Sequence, residues 1–141
     1  MIGGQTLEQE VNEPMHYRSH ESGIEAIEIT RWLDFGLGNA WKYCMRYRNK
    51  GTPRKDLLKA VFYLNDYRKN FISYNNDSKF IHRIPEDIVS KMIHVSETDP
   101  SDVLRRVFEL IIMIATQNCV IGDTIYDTTV YDLEQFANTL G

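Results

Sequence analysis

The sequence predicts an all-α protein, a compact bundle of five or six helices. Three observations lead there: apolar residues recur at helical spacing through most of the chain, helix-start signals precede those stretches, and strand-like alternation is confined to one short segment. At 141 residues, with 43% apolar and 26% charged side chains, the chain can bury one ordinary core. A formal net charge of −4 argues against bulk nucleic-acid binding, and no apolar run is long enough for a signal peptide or a membrane span. Cys44 and Cys119 lack metal-ligand spacing and read as buried thiols of a reducing cytoplasm.

Residues 1–13 are polar and read as a flexible arm. Ser22 with Glu25 three residues on has the pattern of a capping box, opening a first helix over 24–33 whose apolar residues lie nearly all round, as in an inner helix. Asp34-Phe35-Gly36-Leu37-Gly38 reads as a turn, its glycines allowing a sharp reversal or close approach of a ligand. Two helices follow, over 39–50 and 54–72, broken at Gly51-Thr52-Pro53 and expected to pack antiparallel. Ser73 to Ser78 is rich in turn residues and separates this 14–72 unit from an extension over 79–141 that packs on it.

In the extension, Pro85 opens a helix to Val95 with Ile88, Val89, Met92 and Ile93 inward. Asp99 as N-cap and Pro100 at the first helical position start another, ending near Gln117. Its run Phe108 to Ile114 is too apolar for a surface, so this helix is either central or a contact between copies in a homo-oligomer. The β-branched residues between Val120 and Val130 permit a short hairpin near 120–130, or an ordered loop, before a last helix over 130–140.

The chemistry concentrates on the two central helices. Asn39, Lys42, Tyr43, Arg46 and Lys50 share one stripe, opposite Leu37, Trp41, Cys44 and Met45. On the next helix Asp56, Lys59, Tyr63, Asp66 and Tyr67 share another, with Leu57, Leu58, Val61, Phe62 and Leu64 forming a broad apolar face. Facing each other, the stripes would line a cleft of cations, hydroxyls and a carboxylate, suited to a phosphorylated small molecule. Arginine offers a bidentate phosphate contact, and tyrosine offers a ring for a base and a hydroxyl for a phosphate or sugar. Neither a P-loop nor a Rossmann glycine pattern is present. Glu25 and Glu28 with Asp56 could instead hold magnesium, as in all-α nucleoside triphosphate pyrophosphohydrolases. Lys59 stands where a further acid would be needed. His16 and His20 lie four apart without a cysteine, which speaks against zinc; His16 beside Tyr17 is a candidate general acid or base.

Four motifs in order carry a resemblance: Pro14-x-His16-Tyr17, Ile24-Glu25-Ala26-Ile27-Glu28, Gly38-Asn39-x-x-Lys42-Tyr43-x-x-Arg46-x-x-x-Lys50 and Asp56-Leu57-x-Lys59-Ala60-x-Phe62-Tyr63. Over residues 14–67 the chain resembles a small domain family of tailed phages, uncharacterised or described as nucleotide kinase-like, one member of which phosphorylates dTMP and dGMP. That resemblance implies a phage protein in the cytoplasm of the infected cell that binds deoxynucleoside phosphates, with ATP or a dNTP as phosphoryl donor and magnesium as an open question. It implies catalytic roles for Lys42, Arg46, Glu28, Asp56 and His16, and ligand contacts from Tyr17, Asn39, Tyr43, Lys50, Lys59 and Tyr63. The kinase carries this domain last, behind a cysteine-rich region; here it comes first and a different helical half follows. Alternatives from other classes are an anti-defence sponge that sequesters a cyclic-nucleotide signal, the pyrophosphohydrolase, and a helical module that inhibits a host enzyme.

Overall fold

A computed structural model describes residues 20–49, 51–72, 84–117 and 122–141. Six α-helices and no strand occur among them: α1 (Ala26–Thr30), α2 (Phe35–Arg46), α3 (Pro53–Tyr67), α4 (Glu86–Thr98), α5 (Asp102–Gln117) and α6 (Asp123–Asn138). The 3-10 turn Tyr47–Asn49 extends α2, and a π-helical turn over Arg68–Ile72 extends α3. Helix α2 packs on α1, α3 and α5; α6 bridges α3 and α5; α4 lies along α5 and touches α1.

A capping box forms three residues later than expected, with Glu25 as N-cap and Glu28 closing back on the Glu25 N–H at 2.8 Å. Helix α1 is short rather than an inner helix. Ala26 and Ile29 are buried, Ile27 and Trp32 are exposed, and the chain turns at 31–33 through hydrogen bonds from Trp32 and Leu33 to the Ile29 and Thr30 carbonyls.

The expected turn at 34–38 is the start of α2. Asp34 accepts the Leu37 N–H at 2.9 Å, and a cap of this kind contributes about 1 kcal/mol, against a propensity cost of about 1 kcal/mol per glycine. Burial of Leu37, Trp41, Cys44 and Met45 supplies the remainder. Proline at the first position opens α3, as its missing N–H would be unpaired there in any case.

Helix α4 buries Ile88, Met92, Val95 and Ser96, so its inward face runs on past Val95, and Ile93 points outward. Helix α5 starts two residues later than the Asp99-Pro100 signal. Ser101 Oγ accepts the Leu104 N–H at 3.3 Å, while Asp99 is buried for another purpose. The apolar run of α5 is central: Leu104, Val107, Phe108, Leu110 and Ile111 are buried against neighbouring helices, which already accounts for its composition.

Neither a hairpin nor a loop forms over 123–130. Tyr126, Val130, Leu133 and Ala137 recur at helical spacing and are buried on one face of α6, and that burial overrides the β-preference of its threonines and isoleucine. Cys119 and the 73–78 boundary lie outside the described residues; Cys44 is buried, and burial pushes its thiol well above the ordinary range. Among the described residues no helix is long and apolar enough to cross a membrane.

Candidate functional site

Helices α2 and α3 run antiparallel, as the contacts between them show. Arg46 meets Asp56, Tyr43 meets Lys59 and Tyr63, and Gly36 lies beside Tyr67, so partners descend on one helix as they ascend on the other. The two stripes therefore do meet, with Tyr43 at the centre. Its ring has Lys42 Nζ at 4.7 Å, the Arg46 guanidinium at 4.8 Å and Lys59 Nζ at 5.3 Å from the centroid. Cations at such distances are attracted to the ring's negative face. Tyr63 lies nearly parallel to Tyr43, with centroids 6.3 Å apart and planes 11° apart.

Within this cluster the side chains divide into two kinds. Arg46 is only 9% exposed and lies 3.9 Å from Asp56 Oδ2, an oxygen that accepts no hydrogen bond. Asp56 itself is 2% exposed. This pair is too long for a hydrogen bond, and at that depth its attraction works against the desolvation of both charges. The outer residues of the cluster are more open to solvent. Phe35 is 78% exposed and Phe62 63% exposed, and both pack edge-on against Tyr63, at 5.8 and 5.3 Å. With cations gathered over Tyr43, the open aromatic surface is that of Phe35 and Phe62 on either side of the half-buried Tyr63.

Sequence periodicity missed both phenylalanines. The spacing puts Phe62 on the apolar face of its helix and Phe35 in a turn, whereas both side chains are exposed on helices. Phe35 stands four residues before Asn39, which places it on the polar stripe once the helix is known to start at Asp34.

The remaining candidates are placed elsewhere. The Asn39 amide donates to the Phe35 carbonyl at 2.7 Å, within its own helix. Glu28 closes the α1 cap and pairs with Lys91 at 2.9 Å. The Lys91 and Glu25 N–H bonds hold its carboxyl below the usual range, and it is not part of the Tyr43 cluster. His16, Tyr17 and Lys50 lie outside the described residues. Among the described residues no group of three His, Cys, Asp or Glu side chains could hold a metal ion.

A second polar constellation went unread in the sequence. Asp99, 1% exposed, takes a two-pronged contact from Arg48 at 2.8 and 3.1 Å, the His20 Nε2 at 3.1 Å and the Ser101 N–H at 2.9 Å. The Ser22 N–H donates to His20 Nδ1 at 3.0 Å, so the ring proton facing Asp99 is on Nε2. Burial alone would raise the Asp99 pKa. The bonds from His20, Arg48 and Ser101 together outweigh it and bring the group to about 2. This hub is buried and joins three distant stretches of chain, which is a structural role.

No curated protein and no solved structure matches this chain. Residues 11–65 match the model of a family described as a protein of unknown function, DUF3310, the stretch that contributes α1, α2, most of α3 and every member of the Tyr43 cluster.

Proposed function

We propose that the Tyr43 cluster binds deoxynucleoside phosphates and that the protein acts as a nucleotide kinase-like enzyme of the phage type its motifs resemble. One observation carries this reading: two exposed rings, Phe35 and Phe62, flank the half-buried Tyr63, which stacks on Tyr43 where the cations of Lys42, Arg46 and Lys59 gather. The base stacks on the rings, and Lys42 and Lys59 hold the phosphate. Arg46, anchored between Asp56 and Tyr43, adds a positive field behind them. In transfer, an oxygen of the bound monophosphate bonds to the terminal phosphorus of a nucleoside triphosphate. The bond from that phosphorus to the bridging oxygen breaks, and a nucleoside diphosphate leaves. The lysines neutralise charge developing on the transferred group.

The test measures thermal stability with dTMP, dGMP and ATP, with and without magnesium, alongside label transfer from [γ-³²P]ATP to dTMP. A bound nucleotide at 100 times its Kd raises stability by about 2.7 kcal/mol. Tyr63→Ala and Lys42→Ala should each weaken dTMP binding roughly tenfold, the loss of about 1.4 kcal/mol expected for one stacking or charged contact. If no nucleotide shifts the melting temperature, the reading is wrong.

Asp56, to which the resemblance gives a catalytic role, is buried beside Arg46, and that burial favours a second reading in which the same cluster sequesters a nucleotide without turnover. Recovery of the ligand unchanged after denaturation, with no label transfer, would select it.

A further inference from the structure

Helix α3 turns Asp56, Leu57, Ala60, Val61, Leu64 and Tyr67 toward its neighbours. Its opposite face is open among the described residues: Arg54, Phe62 and Asp66 are exposed, and Leu58 is only partly buried. Arg54, Leu58, Phe62 and Asp66 stand four residues apart, so they form one continuous ridge along the helix. The ridge begins with a cation, carries two apolar side chains in the middle and closes with an anion. Phe62 is 63% exposed, and an open groove of about 540 Å³ runs beside it and Leu58. The groove wall is almost wholly apolar, since Arg54, Lys55 and Lys59 contribute their aliphatic stems to it. Such a wall has few polar groups to orient a small molecule, but it accepts apolar side chains.

The order of charges along the ridge selects the occupant. A two-fold axis level with Ala60 would set a second α3 antiparallel to the first. Leu58 and Phe62 each lie two residues from that axis, and Arg54 and Asp66 each lie six. Leu58 therefore faces Phe62 of the second copy and Arg54 faces its Asp66, and the same pairs recur with the copies exchanged. A parallel pairing would instead oppose Arg54 to Arg54 and Asp66 to Asp66, which repel. An acidic helix from another protein would match Arg54 and oppose Asp66. The antiparallel arrangement also puts Asp66 at the positive N-terminal turn of the other α3. Lys55 falls opposite the uncharged Asn65, and Lys59 leans away toward the Tyr43 ring. Asn70 donates to Asp66 Oδ1 at 2.9 Å, which steadies the carboxylate on the ridge. Ridges of residues four apart interlock between helices at a crossing angle of about −50°, the commonest helix packing.

We propose that α3 pairs with α3 of a second copy of this chain along the ridge, Phe62 of each entering the groove beside Leu58 of the other. The interface covers Phe62 and leaves Phe35 open beside Tyr63, so a base keeps a ring to stack on. The pairing thus stands or falls separately from the nucleotide reading. From Arg54 to Asp66 the ridge extends only about 18 Å, so the contact lies at the low end of interface size and the dimer should be micromolar rather than nanomolar.

The experiment is sedimentation of the full chain, without nucleotide, at concentrations from about 1 to about 500 µM, for the native protein and for Phe62→Ser, Arg54→Asp, Asp66→Arg and the double variant Arg54→Asp/Asp66→Arg. Arg54, Phe62 and Asp66 are exposed, so each variant should keep the native melting temperature at the lowest concentration. The native chain should pass from monomer to dimer across the series. Phe62→Ser, which removes the central side chain from both copies, should weaken the dimer about 30-fold or more. Each single charge reversal sets like charges against each other twice and should weaken it roughly tenfold. The double variant restores both pairs with their signs exchanged, so its dimer should return to within about 3-fold of native. A native chain that stays monomeric at the highest concentration would overturn the inference. A dimer indifferent to Phe62→Ser would place the contact on another face, and a double variant as weak as either single reversal would exclude the antiparallel register; either result overturns it too.

Discussion

Asp99 shows what one residue can hold together. It lies between α4 and α5, yet its bonds reach back to His20 before α1 and to Arg48 after α2. Asp99→Ala should cost about 3 kcal/mol, the lower end for breaking a buried pair, because Arg48 keeps partial access to water. Urea denaturation reads this directly. The pH dependence has a definite sign. The folded pKa is about 2, below the ordinary 3.8, so between those values the unfolded chain binds more protons. The contribution, about 2 kcal/mol, is complete above the unfolded value and disappears as pH falls through the folded one. Native protein should therefore lose stability between about pH 4 and pH 2 through this group. In Asp99→Asn that part of the acid dependence should be missing, and an unchanged acid transition would show that other carboxylates govern it.

At the scale of the element, α2 carries two glycines inside a helix. A Cβ built on Gly38 would lie 3.5 Å from the Thr30 carbonyl oxygen and 3.7 Å from Leu33 Cβ; one on Gly36 would lie 3.6 Å from Tyr67 Cδ2. These are ordinary contacts, so neither glycine is required by packing. Gly38→Ala should raise stability by about 0.5–1 kcal/mol through helix propensity and a less flexible unfolded chain. A melting temperature lowered by Gly38→Ala would mean that α1 and α2 tolerate no further separation. Gly51 differs, since its φ of 77° lies in the left-handed region that a side chain disfavours.

Across the whole molecule, the two halves of the chain share one core. Phe108 of α5 packs on Trp41 with centroids 4.6 Å apart, and the Tyr126 hydroxyl donates to the Leu64 carbonyl at 2.6 Å. Phe136 of α6 meets Tyr47 edge-on at 6.2 Å, and Arg68 pairs with Asp123 and Asp127 of α6, both at 3.0 Å. A chain ending at residue 72 would expose Trp41 and Leu64, fully buried side chains that the second half contacts, and would lose the apolar burial that they contribute. It should show no cooperative melting by circular dichroism and no fixed near-ultraviolet signal. Cooperative melting of that piece would make the matched region an independent domain.

The sequence by itself determined the helical class, the antiparallel pairing of α2 with α3, and the side of each that carries cations and tyrosines. All of these follow from local spacing and a short break. The face of α6 was legible too, in Tyr126, Val130, Leu133 and Ala137, although its β-branched residues pointed toward a hairpin or loop. Tertiary structure alone decided that Phe35 and Phe62 stay exposed around Tyr63, that Arg46 turns inward to Asp56, and that Asp99 gathers His20 and Arg48. Periodicity specifies which side of a helix a residue occupies. It carries no information about the partner brought up against that side by another segment of the chain.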